Sequence, residues 1–212
     1  MGQQIPNGAA ISIASVMATG LAVTAATNAA ACVLTVTNTY AVGDFVEFVS
    51  GWSRATNRVF RLSAVAAGSA TLEGFDTTST TLFPIGGGTG TVRKVTTWAQ
   101  ILQILEPAIE GGDIQTGTLQ YLENTFETEF ATTTSAAGLA FRIGDDIALP
   151  GYIAYKAAAI TRAQTPLRVV LPNGGILLYA GVANLNENPS LSMNDIMAVA
   201  ARFSIANQVV RY

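Results

Sequence analysis

Near the C-terminus, two runs of aliphatic and β-branched residues flank an Asn-Gly pair. PLRVVLP (166–172) leads into Asn173-Gly174-Gly175 and then ILLYAGVANLN (176–186). Asparagine and glycine tolerate the positive φ that a tight reversal needs, so this pattern predicts an antiparallel hairpin and commits the last third of the chain to a sheet. Just upstream, DDIALPGYIAYKAAAITRA (145–163) predicts a helix over about 150–163. Pro150 suits its first turn, with Asp145 and Asp146 towards the positive end and Lys156 and Arg162 towards the negative end. Beyond a polar loop, ENPSLSMND (187–195), residues 196–205 read as one more strand. There Met197, Val199, Ala201, Phe203 and Ile205 alternate onto one face.

The rest of the chain is also β-rich. Residues 1–19 read as an N-terminal arm with one strand, Ala10 to Met17. Residues 20–94 hold evenly spaced short strands: ACVLTVT (31–37), GDFVEFV (43–49), RVFRLSAV (58–65) and SATLEGF (69–75). Turn signals between them predict a small β-barrel module. LFPIGGGTGTV (82–92) reads as a linker or wide turn, because its glycines match neither dinucleotide-binding nor P-loop spacing.

Composition excludes most chemistry. With no histidine, the chain lacks the usual general base and the commonest metal ligand. Cys32 is the sole cysteine and has no basic neighbour in sequence to activate it. Asp145-Asp146 serve a helix terminus better than a catalytic pair, and no calcium-loop motif is present. Trp52 follows Gly51 in a loop, where it could bind a sugar, anchor a partner or plug the end of the small barrel. Tyr152 and Tyr155 share a helix face and are expected to pack on a sheet. No residue pattern calls for a cofactor or an enzyme.

Only 12% of residues are charged, against roughly 25% in ordinary globular chains. A monomer so poor in charge exposes much uncharged surface, which favours self-assembly. The net charge of −3 provides no basic footprint for nucleic acid. It is distributed unevenly: +1 over residues 1–96, −7 over 97–147 and +3 over 148–212. Those opposite regions could pair across a repeated interface or within one subunit. The first 43 residues carry no charge, yet polar residues interrupt every apolar run short of a membrane span, and no basic n-region is present among them, so neither a signal peptide nor a membrane span is expected.

The order helix, strand, PNGG turn, strand, loop, strand, closing on QVVRY, resembles the major tail tube proteins of long-tailed (siphovirus-type) bacteriophages. VTTWAQILQILEP (95–107) and the DD-x-x-LPGY helix are similar to the preceding part of that family, so the resemblance covers roughly residues 95–212. It implies a mainly β fold: a tube-forming β-sandwich with one flanking α-helix (95–212), preceded by the small N-terminal β-barrel module. It also implies a structural virion subunit, assembled in the host cytoplasm, that forms stacked hexameric rings. Their lumen would hold the tape measure protein and later conduct DNA without binding it, and the tail terminator and tail tip proteins would be further partners. The alternatives are another tail component (terminator, connector or tip protein) or a monomeric ligand-binding β module.

Two segments are ambiguous. In 96–107, Trp98, Ile101, Leu102 and Leu105 have helical spacing, whereas the resemblance and the β-branched run Val95-Thr96-Thr97 imply a strand, which we adopt. In LQYLENTFETEFATT (119–133), a strand would set Leu122, Phe126 and Phe130 opposite Glu123, Glu127 and Glu129. These three glutamates are the candidate acidic face, at the lumen, between rings, or simply solvated.

Overall fold

The computed structural model describes residues 7–191, 193 and 196–212. The start of the expected arm and part of the polar loop at 187–195 lie outside the described residues. The described residues fold into strands with a single helix. The first seven strands are β1 (Ala10–Met17), β2 (Leu21–Val23), β3 (Ala25–Ala26), β4 (Val33–Thr35), β5 (Phe45–Ser50), β6 (Arg58–Ala66) and β7 (Ser69–Leu72). Next come β8 (Gly90–Ile101), β9 (Ile104–Glu110), β10 (Ile114–Leu119), β11 (Thr128–Thr134) and β12 (Gly138–Gly144). The helix α1 (Pro150–Thr161) precedes β13 (Thr165–Val170), β14 (Ile176–Asn186), β15 (Ala198–Ile205) and β16 (Val210–Arg211).

The long strand β8 organises both halves. Its first part, Gly90–Lys94, pairs with β2 on one edge and β5 on the other. From β5 the pairing continues through β6, β7, β4 and β3, and β3 runs back through Thr24 into β2. The circuit is closed, so this block is a small barrel. Phe48, Phe60, Leu34, Leu62 and Leu72 fill it. Trp52 is 1% exposed, donates its indole N–H to the Pro84 carbonyl at 2.8 Å and meets Phe83 edge-on. It is therefore a plug and not a sugar platform. The glycine-rich segment ahead of β8 folds as turns under that ring.

The second part of β8, Val95–Ile101, pairs with β1, and the sheet then runs β1, β13, β14, β15, β12, β9. β1 thus has a partner on each side, β8 and β13, and its Ile11 and Ile13 enter the second core. α1 covers this core with Tyr152 and Tyr155, and Phe141 meets Tyr155 edge-on. Gly151 is required there: a Cβ would overlap the Gln100 carbonyl of β8. The expected hairpin forms between β13 and β14, with Gly174 at φ +84° in its turn.

The two halves share packing. Leu178, Ala180 and Val210, from β14 and β16, belong to the barrel's core cluster. The Tyr212 hydroxyl accepts from Arg61 N–H (3.0 Å) and donates to the Glu73 carbonyl (3.1 Å). The Arg61 guanidinium lies over the Tyr212 ring and grips Glu73 with two hydrogen bonds. Arg168 of β13 stacks on Trp98 of β8 and Phe45 of β5.

Residues 96–107 are strand, as adopted: pairing with β1 outweighs the helical spacing, and the chain turns at Gln103 (φ 57°) between β8 and β9. The helix is present, but its charge complementation is not. Its first turn holds no acid and its last no base. Asp146 instead accepts from the Ala148 N–H in the preceding turn, Lys156 pairs with Glu187 at 2.7 Å, and Arg162 is the left-handed C-cap. Finally, 119–133 is not one strand. Leu119 pairs with Thr128, so the chain reverses between β10 and β11. An Asn124 N–H to Tyr121 carbonyl bond helps close that turn without glycine or proline.

Candidate assembly surface

One face of the sheet β14–β15–β12–β9 packs Phe141, Ile143, Val199 and Phe203 into the second core. The opposite face is set by the alternation of the same strands. Arg142 and Ala140 on β12 lie beside Ala200 and Arg202 on β15. Asn184 and Asn186 of β14 flank them on one side and Glu106, Ala108 and Glu110 of β9 on the other, and together they line one open trough. Its charges cancel: Arg202 meets Glu110 at 3.5 Å and Arg142 approaches Glu106 at 3.8 Å while donating to the Ser190 hydroxyl. Such exposed pairs contribute about 0–1 kcal/mol each, so they neutralise the face more than they stabilise it.

Among the described residues, this four-strand wall ends on both sides in strand edges without a further strand. Among the described residues β9 pairs with β12 alone, and Pro107 within it suits an edge or bulge because it has no N–H to donate. On the far side, β13 reaches only as far as Gly181, so among the described residues the other edge of β14 beyond Gly181 carries no strand, and α1 packs beside it.

A second surface is the β10–β11 hairpin, a separate two-stranded sheet. Glu123 and Glu127 sit in its connection and Glu129 on β11, all exposed, and none of them forms an ion pair among the described residues. Instead of being segregated by strand alternation, the acids are interleaved with apolar side chains: Leu122 next to Glu123 and Phe126 next to Glu127. Phe126 is 70% exposed; Phe130 lies across from Gly117, where a Cβ would strike its ring. A bare hairpin with so many uncovered apolar groups is marginal in water. The outer face of α1 is similar. Ile153, Ala157 and Ile160 fall along it, and Lys156, paired with Glu187, lies between them on the same face.

Other candidate chemistry is absent from these surfaces. Cys32 is buried in the barrel, and burial pushes its thiol up to about 11. Among the described residues, no group of three or more acids, cysteines or histidines is placed to hold a metal. Nor is any helix there long and apolar enough to cross a membrane. Sequence reasoning missed the trough because it read only the buried face of residues 196–205. The signal was the Ala-Arg alternation on the other face, repeated at Ala140/Arg142 and Ala200/Arg202.

The family model for phage tail tube proteins (TTP) matches residues 50–212. The chain belongs to the phage tail tube protein family. The match begins within the barrel and includes both open edges, the hairpin and α1. As a tail tube protein it is a structural component of the virion tail and not an enzyme. Parts of two solved assemblies are similar. One is the tail of an empty GTA particle refined with C6 helical symmetry: 12% identity, 53% of this chain and 84% of that chain covered, TM-score 0.42. The other is the sheath/tube terminator of an extracellular contractile injection system, PVC, in its extended state: 14% identity, 50% and 83% covered, TM-score 0.36. No curated protein sequence matches the chain.

Proposed function

We propose that this tail tube protein is the major tube subunit of a long-tailed phage, forming hexameric rings that stack around a lumen. The observation that carries this is the four-strand wall, with no further strand at either end among the described residues and a charge-balanced trough on one face. Unpaired strand edges invite uncontrolled association. In a closed ring, β9 of one copy pairs with the free edge of β14 in the next, and the hazard becomes the assembly contact.

The trough then faces the lumen. Small alanines and asparagines leave a smooth wall, and arginines already engaged by glutamates do not accumulate the phosphate contacts by which basic surfaces hold DNA. The lumen would accommodate the tape measure protein during assembly and DNA afterwards, with terminator and tip proteins at the ends. Glu123, Glu127 and Glu129 are assigned to contacts between copies and not to the lumen, since they sit on the hairpin and not on the trough. Residues 20–94 are assigned as a small-barrel module that shares β8 with the second sheet, so it is clamped to the tube and not tethered to it.

Negative-stain electron microscopy of the purified protein tests the reading. Tubes or stacked rings are expected. Single closed rings would point to a terminator, and monodisperse monomers at high concentration would overturn the assignment in favour of a monomeric binding module.

A further inference from the structure

We propose that Asn7 is a site of spontaneous deamidation in the native chain, and that Asn173, in the same Pro-Asn-Gly sequence, is protected from it by its turn. Both sites belong to the subunit alone, whatever it assembles into.

An Asn-Gly pair is chemically labile because glycine has no side chain to shield its amide nitrogen. That nitrogen gives up its proton to hydroxide or water and attacks the asparagine carboxamide carbon. The new C–N bond closes a succinimide ring and expels the side-chain nitrogen as ammonia. Water then opens either ring carbonyl, giving aspartate or isoaspartate. The sequence carries the pair twice, in Pro6-Asn7-Gly8 and Pro172-Asn173-Gly174. Both asparagines are exposed, and both glycines have left-handed backbone, with φ +93° at Gly8 and +84° at Gly174. The two sites are also neighbours. A Cβ on Gly8 would lie 3.9 Å from Pro172, because the start of β1 pairs with the end of β13. Local sequence, exposure and glycine backbone are thus matched.

Hydrogen bonding is what differs. At Asn173 the proton that must leave is engaged, since Gly174 N–H donates to the Leu171 carbonyl at 2.9 Å. The carboxamide that must swing round is engaged too: Asn173 Oδ1 accepts from Gly175 N–H at 2.9 Å. Leu171 N–H donates to the Gly175 carbonyl at 2.8 Å and closes the turn. Among the described residues, neither the Asn7 side chain nor the Gly8 N–H has a hydrogen-bond partner. Asn173 therefore reacts only when its turn opens, whereas Asn7 reacts from the native state. The protected position is also the one from which damage would spread. Isoaspartate adds an atom to the main chain, and Ile176, just past this turn, exchanges two backbone hydrogen bonds of 2.9 Å with Tyr212. Tyr212 in turn holds Arg61 and Glu73 of the barrel.

Peptide mass mapping of the full chain tests this, after incubation in mildly alkaline buffer at concentrations below assembly. Isoaspartate is identified by labelling with an isoaspartyl methyltransferase. Asn7 should convert at least about tenfold faster than Asn173, the ratio produced by about 1.4 kcal/mol of turn opening. In the urea-unfolded chain the two rates should converge, and Asn7→Gln should remove the fast phase of ammonia release from the native protein. Equal native rates, or a faster Asn173, would overturn the protection. A difference that survives unfolding would overturn it as well, by tracing the ratio to sequence and not to the turn. An Asn7 that stays intact in the native chain while converting in the unfolded one would overturn its assignment as the reactive site.

Discussion

Leu178→Ala is the sharpest probe of how the two halves are joined. Leu178 is on β14, a strand of the second sheet, yet it is 1% exposed and packs in the barrel's core. Truncating a buried leucine costs its transfer free energy and leaves a cavity, together about 2–5 kcal/mol depending on how far the surroundings collapse. Here they are pinned. The Tyr212 hydroxyl is held from both sides by the barrel, and the Asn207 amide donates to the Ser53 and Thr56 carbonyls at 3.1 and 2.8 Å. Limited collapse places the cost at about 3–4 kcal/mol, a large share of the ~5–15 kcal/mol that stabilises a typical domain. The chain's two tryptophans provide a reporter for each half: Trp52 inside the barrel and Trp98 on β8. Urea unfolding of Trp52→Phe and Trp98→Phe variants, at protein concentrations below assembly, should give coincident transitions, because the shared core makes the halves one cooperative unit. Adding Leu178→Ala to each should lower both midpoints together. Separate transitions, or a loss below about 1 kcal/mol in either reporter, which is within reach of an ordinary surface change, would refute a shared core.

Gly151→Val should prevent α1 from seating on β8, since the Gln100 carbonyl occupies the place of a side chain; thermal melts should show a loss above about 2 kcal/mol, and an unchanged melting temperature would contradict the close approach. Cys32 should resist maleimide at pH 8 in the native state, because with its pKa near 11 only about one thiol in a thousand is ionised there; rapid native labelling, compared with the unfolded chain, would show that the barrel opens readily. The Arg61 hydrogen bonds hold the Glu73 carboxyl below the usual carboxylate range, so their contribution is present above that range and is lost as pH falls through it. Glu73→Gln should accordingly destabilise the protein by less than about 1 kcal/mol at pH 7, and the gap to wild type should close on acidification; a gap that widens in acid would reverse the sign of the linkage.

Local chemistry made several elements legible in the sequence. The Ala10–Met17 run, the Asn173-Gly174 turn and the Pro150 start each encode an element in adjacent residues, and each element appears where those residues place it. The β10–β11 reversal was hidden because its turn uses Asn124 without glycine or proline, and because Leu122, Phe126 and Phe130 mimic a buried strand face. The helix charges misled for a related reason: Lys156 finds Glu187, 31 residues away, in preference to the helix terminus. The trough and the shared core depend on partners far apart in the chain. Arg202 gains meaning only once β15 lies beside β12, and Leu178 only once β14 reaches the barrel. No window of adjacent residues contains that information.

Cryo-electron microscopy with helical reconstruction of the assembled protein tests the central claim most directly. The account predicts a tube whose inner wall is continuous across copies, with β9 paired to the β14 segment beyond Gly181 of the next copy, and Asn184, Arg142 and Arg202 facing the lumen. A tube whose trough faces outward, or whose copies meet through the small barrels while the edges of β9 and β14 stay unpaired, would contradict it.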